Sequence, residues 1–216
     1  ELNLQLRLEY FTRNGHYLDN LAMSDPFYFP VDQCLAAIAQ LSRPSSLKFM
    51  EDAAQRISAC FRAGNKLLLA GNGGSLCDAA HFAEELTGFF REKRPALPAL
   101  VLSEPGHISC TANDLGYPFV FSRGVEAFGK EGDLFIGLTT SGHSPSIVNA
   151  FQAAKARGLQ TIAFLGKTGG ALKGVADVEL LIDGFATSDR IQEAHMAAIH
   201  LILERVESLL FPTAPS

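Results

Sequence analysis

The stretch Leu67-Leu68-Leu69-Ala70-Gly71-Asn72-Gly73-Gly74-Ser75 constrains this chain more than any other. Four apolar residues without polar alternation predict a strand covered on both faces, and the glycines that follow predict a tight turn into a helix over Leu76 to Phe90. A strand buried on both faces belongs to a parallel sheet with helices above and below. The same rhythm recurs. Strands are expected at Ala99–Leu102, Asp133–Leu138, Gln160–Leu165 and Val178–Ile182, and helices at Glu104–Asn113, Phe119–Phe128, Ile147–Arg157 and Thr187–Leu210. Strands alternating with helices through short glycine- or serine-rich turns imply right-handed βαβ units. The expected fold is therefore α/β, a three-layer αβα sandwich around a five-stranded parallel sheet. Ligands in such sheets bind at the carboxyl ends of the strands, where the strand order reverses.

The first residues read differently. Leu4, Leu8, Phe11, Tyr17, Leu18 and Leu21 recur at helical spacing, and further helices are expected at Pro30–Leu41 and from Pro44 to about Gly64. An apolar helical face outside the sheet has to be covered, and contact with another subunit is the favoured outcome.

Composition narrows the function classes. The net charge of −5 gives no basic footprint for nucleic acid, so no nucleic-acid partner is expected. No apolar run reaches the roughly 18 residues of a membrane span, and no signal-peptide pattern opens the chain, so a cytoplasmic protein with no membrane partner is expected. Cys34, Cys60, Cys77 and Cys110 form no CxxC pair, and small buried thiols are the plainest reading of them.

Chemistry concentrates in four places. Gly71-Asn72-Gly73-Gly74-Ser75 is neither a P-loop nor GxGxxG, but it brings Asn72 and a row of amides to a helix N-terminus. Thr139-Thr140-Ser141-Gly142-His143-Ser144-Pro145 sets several hydroxyls before the first turn of another helix, which is an anion nest. His81 and Glu85 lie four residues apart on one helix face, suited to proton transfer or metal binding. Glu84 is turned about 100° away, so only one carboxylate is expected to face the pocket. On the last helix Gln192 shares a side with His200, eight residues on, and His195 lies between them in sequence; spacing leaves both histidines as candidates.

Taken together, Gly71–Ser75, Asp78-Ala79, His81-Phe82-Ala83-Glu84-Glu85-Leu86-Thr87-Gly88, Asn113-Asp114, Thr140-Ser141-Gly142 and Arg190-Ile191-Gln192-Glu193 resemble the phosphoheptose isomerases (sedoheptulose 7-phosphate isomerases) of the sugar-isomerase (SIS) domain superfamily. The resemblance runs from about residue 45 to the end. It implies an SIS domain of flavodoxin-like strand order over residues 45–216, with residues 1–44 as a helical segment for oligomer contacts. It implies one divalent ion per subunit, usually zinc, held by His81, Glu85, Gln192 and His200, and thereby prefers His200 to His195. It implies Glu85 and His200 as the acid/base pair, without dividing the two proton transfers between them. Asn72, Gly73, Gly74, Asn113, Asp114, Glu85 and Gln192 would contact the sugar, and Thr139, Thr140, Ser141 and Ser144 its phosphate. The implied reaction converts sedoheptulose 7-phosphate to D-glycero-D-manno-heptose 7-phosphate through a metal-assisted cis-enediol. The implied setting is a homotetramer that supplies heptose for lipopolysaccharide or surface glycan.

Two positions depart from the pattern: His143 stands where the family usually has Asn, and Phe89 where it often has Arg. Similar SIS proteins bind the replication initiator without catalysis, and their tails resemble Leu210-Phe211-Pro212; they lack the catalytic Glu and the last-helix His present here as Glu85 and His200. A sugar-phosphate sensor would keep the hydroxyl nest but has no reason for four metal ligands.

Overall fold

Leu67, Leu68, Leu69, Ala70 and Gly71 are all buried, and they form the first strand of a five-stranded parallel sheet. The computed structural model describes residues 26–212. The helix expected within residues 2–23 lies outside them. The chain divides into two compact units, residues 1–36 and 37–216. In the first, the described residues enter helix α1 (Tyr28–Ala39), which ends in the second unit.

The second unit continues with α2 (Pro44–Arg62), β1 (Leu67–Gly71), α3 (Gly74–Thr87), β2 (Ala99–Val101), α4 (Pro105–Asp114), α5 (Val120–Phe128), β3 (Leu134–Thr139), α6 (Pro145–Ala156), β4 (Gln160–Gly166), β5 (Val178–Ile182) and α7 (Ser188–Leu210). The five expected strands are all present, each within a residue of its expected ends. The helix expected from Ile147 starts two residues earlier, because Pro145 supplies a helical φ at the first position and has no amide to leave unpaired.

The strand order is β2-β1-β3-β4-β5, with every pairing parallel. Alternate side chains separate the two faces. Leu67 and Leu69 join one core with Phe49, Ile57, Phe82, Leu86, Ile199 and Leu203, so α2, α3 and α7 cover that face. Leu68 and Ala70 join the other with Phe121, Val125, Ile147 and Phe151, so α5 and α6 cover the opposite face. The α/β sandwich expected from the sequence is the observed one.

From β1 the chain moves outward to β2, then returns across β1 to β3. The carboxyl ends of β1 and β3 therefore send their turns in opposite directions and leave a crevice between them. Those turns are the two motifs singled out above, Asn72–Gly73 and Thr140–Ser144.

The cysteines correct the expectation of uniformly buried thiols. Cys60 is buried, and desolvation pushes its pKa up to about 11, but Cys77 and Cys110 are exposed, and all four are unbridged. Their helices turn those positions away from both cores.

Candidate active site

A cavity of about 310 Å³ fills the crevice, lined by Asn72, Gly74, Ser75, Leu138, Thr139, Thr140, Ser141, Ser144, Ser188 and Gln192. Three helices begin at it: α3 with Gly74, α6 just after Ser144 and α7 with Ser188. Each N-terminus presents unpaired amides and the positive end of a helix dipole. No charged side chain is among the lining residues. Hydroxyls and amides hold an anion in such a place without a cation.

The hydroxyls are already organised. Thr139 Oγ1 accepts from the Gly142 amide at 3.3 Å and lies 3.4 Å from Ser144 Oγ. Ser141 Oγ accepts from the His143 amide at 3.2 Å, and Thr140 Oγ1 pairs with Ser188 Oγ at 3.0 Å. Ser144 is the residue before α6, yet its side chain makes no cap to that helix. Gly142 turns the loop at φ +65°, and a Cβ there would stand 1.8 Å from the Gly169 carbonyl oxygen, so only glycine fits. His143 is exposed and absent from the cavity wall.

Asn72 is held at both ends of its amide. Nδ2 donates to Ser146 Oγ at 2.9 Å, and Oδ1 accepts from the Tyr117 hydroxyl at 2.7 Å. Gln192 leans against Gly74 so closely that a Cβ on that glycine would meet its amide nitrogen at 2.6 Å, and it donates to Ser75 Oγ at 3.4 Å.

Further along the same pair of helices lies the second cluster. His81 Nε2 and His200 Nε2 are 2.9 Å apart, and Glu85 Oε1 is 3.5 Å from His81 Nε2. His81 Nδ1 is 3.4 Å from Glu84 Oε1. Both carboxylates therefore reach His81. The imidazole has two nitrogens and lies between the i+3 and i+4 positions, so each nitrogen meets one carboxylate. Their surroundings differ: the Glu85 side chain is 19% exposed and that of Glu84 64%.

His195 is turned elsewhere. It is fully buried, and its Nε2 donates to the Leu165 carbonyl at 3.0 Å. Burial lowers its pKa to about 4, partly opposed by that hydrogen bond, and its Nδ1 has no partner. His195 locks α7 onto the end of β4, while His200 faces His81.

Asp78, one turn before His81, is buried with Oδ2 unpartnered. Desolvation raises its pKa to about 6 against the pull of His81.

Of the residues expected at the sugar and phosphate, Asn72, Gly74, Thr139, Thr140, Ser141, Ser144 and Gln192 line the cavity. Gly73 and Glu85 are not among the lining residues. Asn113 and Asp114 are exposed at the end of α4, with Asn113 Nδ2 bonded to Asp114 Oδ1 at 2.7 Å, and also stand outside the wall. Ser188, Tyr117 and Ser146 were not anticipated. Ser188 carried a signal, a hydroxyl in the first turn of a predicted helix; Tyr117 and Ser146 act through Asn72 and carried none.

A doubly wound parallel sheet with a hydroxyl-lined cavity at its switch point, and a His-Glu-His cluster on two of the helices that wall it, defines the α/β class of domain whose ligands sit at the strand ends. The family model described as SIS domain matches residues 32–166. The phosphoheptose isomerase of Fusobacterium nucleatum is 54% identical over 165 residues, 76% of this chain and 84% of that protein. That of Vibrio cholerae is 52% identical over 167 residues, 77% and 87% of the two chains. The solved phosphoheptose isomerase of Neisseria gonorrhoeae superposes with a TM-score of 0.74 at 33% identity, over 84% of this chain and 95% of that one. The chain belongs to the SIS-domain family, among its phosphoheptose isomerases, and is an isomerase.

Proposed function

We propose that the chain converts D-sedoheptulose 7-phosphate to D-glycero-D-manno-heptose 7-phosphate with one zinc ion per subunit. The observation that carries this reading is the meeting of His81, Glu85 and His200 on two helices that also wall the hydroxyl-lined cavity. His81 Nε2 lies at ligand spacing from both His200 and Glu85, and Glu84 is the further donor gathered within 4.8 Å of His81 and Glu85. A tetrahedral ion with bonds of about 2.0–2.1 Å spaces its ligand atoms about 3.3 Å apart. The observed separations are 2.9 Å between the histidine nitrogens and 3.5 Å from His81 to Glu85. Nitrogen and oxygen donors of this kind suit zinc. His81, Glu85, His200 and the amide oxygen of Gln192 would hold the ion. When bound, it would polarise the sugar carbonyl and stabilise the negative charge that develops there.

The chain's own groups do the rest. Thr139, Thr140, Ser141 and Ser144, with the three helix N-termini, hold the phosphate at one end of the sugar. Asn72, fixed by Tyr117 and Ser146, presents its amide to the sugar hydroxyls without reorganising. Aldose–ketose exchange moves a proton between adjacent carbons through a cis-enediol. It needs a base beside a carbon-bound proton and an acid beside the oxygen. Glu85 and His200 supply that pair.

The same reading places the protein in the cytoplasm as a homotetramer, with residues 1–44 among the subunit contacts, supplying heptose for lipopolysaccharide or surface glycan. No helix among the described residues is long and apolar enough to cross a membrane. A coupled assay on sedoheptulose 7-phosphate, with and without a chelator, tests the reading. Turnover that the chelator abolishes and zinc restores is expected. A metal-free, inactive protein would sink it and favour a binding role.

A further inference from the structure

Two contacts bridge α3 and α7, and a third ties α7 to the segment that follows α3. Gln192 meets Ser75 near their first turns, and His200 meets His81 midway. At the far end Glu207 gathers the segment that follows α3. Its Oε1 accepts from the Phe90 amide at 3.1 Å and from Arg94 Nε at 2.7 Å, and its Oε2 accepts from the Arg91 amide at 3.2 Å. Arg94 then donates to the carbonyls of Glu85 at 2.7 Å, Leu86 at 2.9 Å and Gly88 at 3.2 Å. Those carbonyls close the last turn of α3, where the helix leaves its acceptors unpaired. The Arg94 side chain is 2% exposed and that of Glu207 10%.

This ion pair joins the backbone of Glu85 to the helix of His200. Glu207 lies seven residues, about two turns, beyond His200 and so on the same side of α7. The aromatic ring completes the link. Phe90, its amide held by Glu207, lies face to face with His200, with centroids 5.6 Å apart and planes 20° from parallel. A buried ion pair adds little net stability over an apolar replacement. What it does supply is geometry. The guanidinium spreads its donors over three nitrogens in a rigid plane and so reaches the Glu207 carboxylate and the α3 carbonyls together, where a Lys ammonium offers its donors from a single point.

We propose that Phe90, Arg94 and Glu207 are positioning residues for the His81–Glu85–His200 cluster. The pair fixes the end of α3 that carries Glu85 against α7, and the Phe90 ring fixes the plane of the His200 imidazole and covers one of its faces. This deepens the functional reading above and rests on it for the role of the cluster. None of the three residues lines the cavity, so they stand apart from the hydroxyls that would hold the phosphate.

Phe90→Leu, Phe90→Tyr and Arg94→Lys, made in the full chain, test the proposal through kcat, KM for sedoheptulose 7-phosphate and zinc affinity measured against a chelating indicator. Partial unfolding reduces the number of zinc sites and not the affinity of those that remain. Phe90→Leu and Arg94→Lys are expected to lower kcat and weaken zinc binding about 10–100-fold, the usual effect of removing a group that orients a metal ligand. KM should stay within about threefold, and Phe90→Tyr, which keeps the stacked ring, should restore both quantities. Phe90→Leu does not touch the ion pair, so it decides the matter if Arg94→Lys fails to fold. Folded Phe90→Leu protein with wild-type kcat and zinc affinity overturns the positioning role alone. Wild-type protein that neither turns over the sugar nor binds zinc overturns this role and the functional reading together.

Discussion

His81 and His200 are 119 residues apart in the chain, and their Nε2 atoms are 2.9 Å apart in the fold. At that distance one ring donates a hydrogen bond and the other accepts it. Such a pair is a poor structural choice for a half-buried position and a good one for holding a shared electrophile.

Metal content follows directly. The purified chain is expected to hold about one zinc per subunit. His81→Ala and His200→Ala should each weaken binding at least tenfold by removing a nitrogen ligand. Elemental analysis after dialysis against a mild chelator checks this; two alanine variants that retain full zinc would remove these histidines from the site.

Glu84 and Glu85 both reach His81, but their surroundings separate their roles. Glu85 is the enclosed one, and Glu85→Gln removes its basicity while keeping its size. A fall of about 10²–10⁴-fold in kcat is expected, with the fold intact. Glu84→Gln alters an exposed contact and should change kcat by less than about threefold. Equal losses in the two variants would overturn the assignment.

The sheet was legible because each strand advertises itself locally. Leu67–Ala70 and Ile162–Leu165 are apolar runs that each end at a glycine, and nothing distant had to be known to place them. The face shared by His81 and Glu85 was legible for the same reason, since helical period fixes it. Relations between elements were not. Helical spacing left His195 and His200 open and the family resemblance preferred His200; the physical reason appears only with β4 packed under α7, because the Leu165 carbonyl claims His195. Tyr117 reaches Asn72 across 45 residues, and Arg94 reaches Glu207 across 113. No local pattern marks such pairs. Ser188 enters the cavity because α7 begins over the strand ends, which is a fact of topology.

Two glycines should respond differently to alanine. At Gly142 the new methyl meets backbone, the Gly169 carbonyl, at a positive φ, and a loss of about 3 kcal/mol or more is expected. At Gly74 it meets only the end of the Gln192 side chain, which can swing away. Gly74→Ala should keep most of its thermal stability and lose at least tenfold in kcat/KM, because Gln192 leaves the cavity wall. Calorimetry beside steady-state kinetics distinguishes the two; a fully active Gly74→Ala enzyme would show that the placement of Gln192 is unimportant.

His195 should make stability depend on pH in a definite direction. Its folded pKa of about 4 lies below the ordinary value of about 6.5. Between those values the unfolded chain binds a proton that the folded one excludes. Stability from this group is therefore full above about pH 6.5 and drains away as pH falls toward 4. Asp78 works the other way in an overlapping range. Its folded pKa of about 6 lies above the ordinary carboxylate value, so the folded chain takes up the proton first and gains stability as pH falls. The two slopes oppose, and wild-type stability alone would hide both. The measurement is therefore a difference, urea unfolding of wild type and His195→Gln at pH 7 and pH 5. Glutamine keeps a donor for the Leu165 carbonyl and cannot titrate. Wild type should lose roughly 2 kcal/mol relative to the variant over that interval. A difference that does not change with pH would mean that His195 is protonated inside the fold, and that burial does not hold it neutral.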